Sequence, residues 1–183
     1  MSKPKTALVL GGAECVWQDA ERALAMFTPD GVIAVNDMIA AWPNKITHAC
    51  TLHGEKLLQW QQARKAAKFN ADYQTIYFER MKGKPAPKID HVIEYRWPHL
   101  DSGSSGLYAV KALLDLGFDR IVLAGVPMTQ GGGHFLRQEP WDAHNRFRGA
   151  WVGAIPHIAG KVKSMSGWTQ EILGSPSPEW LTQ

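Results

Sequence analysis

The chain is poor in cysteine. Its 183 residues include only Cys15 and Cys50, and their spacing is not that of metal ligands. Both cysteines lie in or beside apolar segments, which predicts buried free thiols. Free thiols fit a reducing compartment, so we expect the protein in the cytoplasm.

A long apolar run is also lacking. The run at residues 6–10 is followed at once by Gly11 and Gly12, and then by Glu14. It is too short for the core of a signal peptide or for a membrane span. We therefore expect no membrane partner.

Charge of one sign is not in large excess. The 20 Lys and Arg residues against 17 Asp and Glu give a formal net charge of +3, which is too weak to indicate nucleic-acid binding. Basic residues do cluster in the middle of the chain, where a solvated basic face is the ordinary interpretation. The alternative is a nucleic-acid-associated protein that uses residues 80–88, with Tyr73, Tyr77 and Trp97 as stacking surfaces.

Several catalytic motifs are missing. There is no HExxH and no close histidine pair, so we expect no dedicated zinc or other metal site. There is also no GxSxG nucleophile elbow and no GxGxxG dinucleotide motif. What remains is a composition of 45% hydrophobic and 20% charged residues, which is typical of a globular domain.

Strand-like and helix-like segments alternate along this domain. Short apolar runs predict strands at residues 6–10, 32–35, 46–52, 75–78, 91–95, 121–124 and 161–164. Helical spacing predicts helices at residues 17–27, 55–69, 104–116, 143–152 and 169–173, and residues 127–140 are predicted as a glycine-rich loop. The alternation predicts an α/β fold with a mainly parallel sheet flanked by helices, and residues 1–183 as one domain.

Candidate ligand contacts follow the predicted strands. Gly11 and Gly12 follow the first strand, Asn36 and Asp37 the second, His53 the third, and Gly125 follows residues 121–124. In an open α/β sheet, ligands bind beyond these carboxyl ends. The alternatives are a tight turn for the glycine pair and helix capping for Asn36 and Asp37. Asn36 stands where dinucleotide-binding proteins carry an acidic residue.

A second candidate lies where the strongest helix begins. Ser104, Ser105 and Gly106 precede a run of apolar residues at helical spacing. The first turn of a helix presents free N–H groups and the positive end of the helix dipole, which suits a phosphate or another anion. A helix cap preceded by flexible residues is the alternative.

Histidine is the natural general base near neutral pH. His144 begins a predicted helix and is followed by Arg146 and Arg148, so it is the first candidate for a catalytic base. His53 is an additional candidate. A structural role is the alternative for either ring.

The run SSGLYAVKALLDLGFDRIVLAGVPM resembles a helix, turn and strand shared by a Rossmann-like superfamily. That superfamily contains the bacterial lipooligosaccharide sialyltransferases and the archaeal hydroxymethylpterin pyrophosphokinase-like proteins. ALVLGGAECVWQD is similar to their first strand and glycine loop, and GVIAVND to their second strand. Phage-encoded proteins of unknown role also resemble the chain, and we expect it to be one of them.

The resemblance implies a single Rossmann-like domain with a nucleotide site. Gly11, Gly12, Asn36 and Ser104 to Gly106 would line that site, with a phosphate near Ser105. His144 is similar in position to the base of the sialyltransferases. The implied function is a small transferase that moves a glycosyl or diphosphoryl group from a nucleotide-activated donor. In that function Arg146 or Arg148 would contact the leaving phosphate. The cofactor is left open, with Mg²⁺ beside the nucleotide as the candidate.

The first loop departs from the family pattern. The family usually reads G-x-G-P-S there, whereas this chain reads GGAEC, and Glu14 would place a negative charge near the phosphate. This departure favours an alternative, a non-catalytic protein that binds a nucleotide or another small molecule.

Eight tryptophans are spread along the chain, four of them in its last third. Core packing is their usual role, and a surface for self-association into a homo-oligomer is the further prediction. Trp97 and Trp141 could instead form a platform for a sugar or a base.

Overall fold

A computed structural model describes residues 3–77, 92–94, 104–140 and 144–183, with only the backbone at residues 92–94 and at Gln138 and Glu139. A seven-stranded parallel sheet is formed by β1 Thr6–Leu10, β2 Gly31–Val35, β3 His48–Thr51, β4 Gln74–Tyr77, β5 Val92–Glu94, β6 Arg120–Ala124 and β9 Val162–Ser164. A separate antiparallel hairpin is formed by β7 Gly133–His134 and β8 Arg137–Pro140. The helices are α1 Val16–Met26, α2 Met38–Ala41, α3 Leu57–Ala66, α4 Ser105–Asp115, α5 His144–Ile158, α6 Gly167–Leu173 and α7 Pro178–Thr182, and a 3₁₀ turn occupies Gly54–Lys56.

The strand order explains where a ligand site can form. It runs β5-β4-β3-β2-β1-β6-β9, and every pairing in it is parallel. Successive strands up to β5 add on one side of β1, and β6 and β9 add on the other. The carboxyl ends of β1 and β6 therefore lie at a topological switch point, where a crevice opens in doubly wound sheets.

The central strands are buried on both faces of the sheet. Ala7 and Val9 of β1 belong to a core that includes residues of α4 and α5. Leu8 and Leu10 belong to a second core, with residues of α1, α2 and α3. Side chains alternate between the faces of a strand, so a strand covered on both sides needs a continuous apolar run. This requirement explains why the strands were visible in the sequence.

The α/β fold with its parallel sheet is confirmed, as a single Rossmann-like domain. Each predicted strand overlaps an observed one, and residues 6–10 match β1 at both ends. Within the described residues, no helix is both long and apolar enough to cross a membrane.

The loop predicted at residues 127–140 is wrong in part, since it contains the β7–β8 hairpin. The hairpin is fixed to the turn after β1, where Phe135 N–H donates to the Gly12 carbonyl and Glu14 N–H donates to the Gly133 carbonyl. These bonds join residues far apart in the sequence. No local pattern of hydrophobicity or glycine could reveal them.

Two predicted helices also differ from the observed ones. α5 continues past residue 152 and through Pro156 to Ile158, because Trp151, Ala154 and Ile158 form a buried stripe at helical spacing. The helix predicted at residues 55–69 is shorter, with a 3₁₀ turn before α3.

The structure tests part of the predicted stacking surface for nucleic acid. Tyr73 and Tyr77 are buried, with 8% and 5% of their surface exposed, so their predicted role as stacking surfaces for nucleic acid is wrong. Residues 80–88, Trp97 and Trp141 lie outside the described residues. Self-association through other tryptophans stays a prediction.

The turns after β1 and β6 pack against each other with no room for a side chain. Gly11 N–H donates to the Ala124 carbonyl, and Ala13 N–H donates to the Gly125 carbonyl. A Cβ placed on Gly11 would lie 2.3 Å from the Gly125 carbonyl oxygen. Gly125 itself has a φ of 69° and lies against Val16. Glycine is therefore a steric requirement at both positions.

Replacing Gly11 with alanine should destabilise the fold, because the new methyl group meets backbone and not a flexible side chain. We expect the free energy of unfolding to fall by at least about 1–3 kcal/mol, measured by urea denaturation. Gly149→Ala in α5 is the matched control. Its Cβ meets nothing within 4 Å, so this change should raise stability by about 0.5–1 kcal/mol. Equal effects of the two substitutions would contradict the packing explanation.

Candidate functional site

A cavity of about 560 Å³ opens at the carboxyl ends of the central strands. Nine of the predicted site residues line it: Gly11, Gly12, Asn36, His53, Ser104, Ser105, Gly106, Gly125 and Arg146. These residues come from distant parts of the chain and meet because parallel strands end at the same edge of a sheet. The remaining predicted residues, Asp37, His144 and Arg148, do not line the cavity.

The start of α4 forms one wall. Ser104 caps the helix, its Oγ accepting from Leu107 N–H at 3.3 Å. Ser105 Oγ accepts from Leu52 N–H at 3.3 Å, which ties the helix to the chain just after β3. The N–H groups of Ser105 and Gly106 lie in the first turn, where no intrahelical acceptor exists. The wall therefore offers hydrogen-bond donors.

Asn36 forms the wall at the end of β2. Its φ of 54° lies in the left-handed region, which asparagine tolerates better than most residues. Asn36 N–H donates to the Cys50 carbonyl, and Asn36 Oδ1 accepts from Thr51 Oγ1 at 2.7 Å. Backbone and side chain are thus both fixed by β3.

His134 is a lining residue that the sequence did not single out. Its ring approaches Gly12, where a Cβ would lie 2.6 Å from His134 Nε2. His134 Nδ1 accepts from Leu136 N–H at 3.1 Å, so the neutral ring carries its proton on Nε2, 3.4 Å from Asp37 Oδ2. Both ring nitrogens are engaged within the protein. The position of His134 depends on the hairpin, which no local signal revealed.

Asp37 lies just behind this wall. Its Oδ1 accepts from Trp60 Nε1 at 2.9 Å, while its Oδ2 faces His134. Burial lowers the pKa of His134, Asp37 raises it and Arg137 lowers it, and burial has the largest effect. The predicted site residue Asp37 thus holds a ring that lines the cavity.

His53 differs from His134 in its surroundings. It lines the cavity, and its Nδ1 lies 3.5 Å from Glu55 Oε1. About half of its side-chain surface, 47%, is exposed. A carboxylate beside Nδ1 favours the tautomer with its proton on Nδ1, which leaves Nε2 unprotonated.

Arg146 and Arg148 have separated roles. Arg146 is exposed, lines the cavity, and lies over the Phe147 ring with 5.5 Å to its centroid. Arg148 donates from Nε and Nη2 to the Met128 carbonyl at 3.0 and 2.8 Å, and lies over the Trp168 ring. Arg148 therefore holds the chain after β6, and only Arg146 is placed to meet a ligand.

His144 begins α5 and is 3% exposed. The residue is buried and is not among the residues that line the cavity. Its role as a base stays a prediction.

Glu14 does not place its charge in the cavity. The residue is exposed, its N–H donates to the Gly133 carbonyl, and its carboxylate lies beside Gly133. Glu14 is not among the lining residues. The negative charge expected near the phosphate is thus directed toward the hairpin.

Cys15, next to Glu14, belongs to a polar cluster beneath the glycine turns. Asp19 Oδ2 accepts from Gly125 N–H at 3.0 Å and from Ser166 Oγ at 2.5 Å, and Ser166 Oγ lies 3.5 Å from Cys15 Sγ. Burial raises the pKa of the Cys15 thiol to about 11, and Asp19 adds to the increase. A thiol with this pKa is protonated at neutral pH and is a poor nucleophile.

The described lining does not fit a Mg²⁺ ion held by the protein. Carboxylates are the usual protein ligands of Mg²⁺, and none lines the cavity. The described part of the chain also holds no group of three or more His, Cys, Asp or Glu residues suited to a metal ion.

Comparison of the chain with family models, curated proteins and solved structures found no match.

Stability should depend on pH through two histidines. Burial lowers the pKa of His48 and of His134 below the ordinary value of 6.5. As the pH falls below 6.5, the unfolded chain therefore binds protons before the folded one does. We expect this contribution to the free energy of unfolding to be complete above that pH and to decrease below it.

Urea denaturation at a series of pH values measures this dependence. Replacing both His48 and His134 with glutamine should flatten the decrease, and each single variant should flatten part of it. An unchanged slope in the double variant would show that other groups cause the dependence.

Proposed function

We propose that the protein binds a nucleotide, or a nucleotide-activated small molecule, in the cavity at the switch point. The observation that carries this proposal is the charge of the lining. Arg146 is the only Lys or Arg among the described lining residues, and no Asp or Glu accompanies it. Together with the N–H groups at the start of α4, it favours an anion such as a phosphate.

The rest of the lining suits the less polar part of such a ligand. Val35, Val126, Pro127, Met128 and Phe147 contribute apolar surface. The volume of about 560 Å³ lies within the range of small-molecule sites, roughly 300–1,000 Å³. A ligand with a phosphate at one end and a base or sugar at the other matches this division.

The two cysteines support a reducing cytoplasm as the location that we propose. Cys15 and Cys50 are both free. Cys50 is fully buried in the core that lies on the α4 side of the sheet.

Binding of CMP and ATP, each with and without Mg²⁺, tests the proposed function. Isothermal titration should detect one of them, and Arg146→Gln should weaken binding by about tenfold, because a charged hydrogen-bond donor is lost. Lys45→Gln is the matched control. It removes the same charge from an exposed residue before β3, at the opposite edge of the sheet.

Binding of neither nucleotide under any of these conditions would contradict the proposal. Equal weakening by Arg146→Gln and Lys45→Gln would show that only net charge matters.

Transfer from the bound nucleotide is a second candidate function, and the position of His53 favours it. Of the two histidines among the described lining residues, His134 has both nitrogens engaged, whereas no described residue bonds to Nε2 of His53. We propose that, if the protein is a transferase, His53 is the base that removes the proton from an acceptor hydroxyl.

Release of the nucleotide from ATP or from a CMP-activated sugar, followed by phosphorus NMR, separates these functions. For a transferase, His53→Gln should reduce turnover by about 100-fold and leave nucleotide affinity nearly unchanged. His144→Gln is the comparison. If it alone abolishes turnover in a folded protein, His144 is the base, and a wild-type protein that binds without turnover is a binding protein only.

A further inference from the structure

A short chain of hydrogen bonds fixes the amide of Asn36. Thr51 is fully buried, and its Oγ1 accepts from His53 N–H at 2.8 Å. The same hydroxyl donates to Asn36 Oδ1 at 2.7 Å. The opposite orientation of the amide would leave the Thr51 proton without an acceptor in a buried place, which is unfavourable.

The fixed amide presents only a donor to the cavity. Asn36 lines the cavity, and its Oδ1 is occupied by Thr51. Among the described residues no group accepts a hydrogen bond from Asn36 Nδ2. A ligand that meets this side chain therefore meets N–H and not an oxygen.

Ser105, another lining residue, is arranged in a similar way. Its Oγ accepts from Leu52 N–H, the residue after Thr51, and no group among the described residues accepts its hydroxyl proton. Arg146 has donors only. Each side-chain oxygen of Asn36 and Ser105 thus already accepts one bond within the protein, while no described residue accepts from their side-chain donors.

We propose that Asn36 is a specificity-determining contact that only donates, and that Thr51 is the residue that positions it. The ligand group above the end of β2 is accordingly a hydrogen-bond acceptor, such as a phosphate or carbonyl oxygen, and not a ribose diol that binds by donating its hydroxyl protons. An acidic residue at this place would accept from the diol instead. This inference rests on the proposed nucleotide site and adds which ligand atoms meet Asn36.

Substitution of Asn36 tests the donor. Asn36→Asp keeps the shape but replaces the donor with an acceptor, and Asn36→Gly removes the side chain at a φ that suits glycine. For whichever of CMP and ATP binds the wild-type protein, Asn36→Gly should weaken binding by about tenfold, and Asn36→Asp should weaken it more. Binding to Asn36→Asp that equals or exceeds wild-type binding would overturn the proposal, because a diol would then be the partner.

Substitution of Thr51 tests the positioning. Thr51→Val removes the hydroxyl at nearly constant shape, and we expect about a threefold to tenfold loss of affinity that Thr51→Ser restores. In the Asn36→Gly background, Thr51→Val should have no further effect on affinity, since Thr51 acts through Asn36. An equal loss in both backgrounds would show that Thr51 has only a structural role.

A measurement without a nucleotide keeps the two proposals apart. The side-chain amide resonances of Asn36 are assigned in nitrogen-15 spectra by their loss in Asn36→Gly. Thr51→Val should shift or broaden them, and Thr51→Ser should leave them close to those of the wild-type protein. Resonances that Thr51→Val does not change would overturn the positioning role, even if nucleotides bind. The expected change with no nucleotide binding would contradict the proposed function while upholding the fixed amide.

Discussion

The contact between the turns after β1 and β6 is the constraint on which the cavity depends. Gly11 N–H bonds to the Ala124 carbonyl, and the Gly125 carbonyl approaches Gly11 too closely for any Cβ. Asp19 accepts from Gly125 N–H and from Ser166, which joins α1 and the residue before α6 to the same crossing. Contacts from the two turns, from α1 and from the residue before α6 thus fix the floor of the cavity. The groups that face a ligand lie around this floor.

The sequence predicted the strands well for a physical reason. A strand covered by helices on both faces must be a continuous apolar run, and such runs are visible without a structure. Parallel strands place all their carboxyl ends at one edge of the sheet, so the location of the ligand groups can also be predicted from the strands. This is why Gly11, Asn36, His53 and Gly125 could be named in advance and are found around one cavity.

The remaining features of the site depend on contacts between residues far apart in the sequence, which local sequence patterns do not show. Arg146 and Arg148 are identical residues two positions apart on one helix, so they point about 200° apart. The rotation of α5 about its axis, set by the buried Trp151, decides which of them faces the cavity. His134 reaches Gly12 only through a hairpin bonded to a distant turn. His144 was chosen as a candidate because it begins a predicted helix. The start of a helix in the sequence does not show which of its residues are buried.

The loop after β1, residues 11–15, is compatible with anion binding but supplies no catalytic group. Its glycines lie where the backbone must come close, so the floor of the site forms without a Pro-Ser pair. Its acidic residue, Glu14, lies beside Gly133, and the described lining contains no carboxylate. The loop therefore keeps the shape that the floor requires and does not oppose the positive charge of Arg146 within the described lining. The loop adds no group that could take up a proton inside the cavity. Among the described lining residues, His53, which follows β3, is placed to do so.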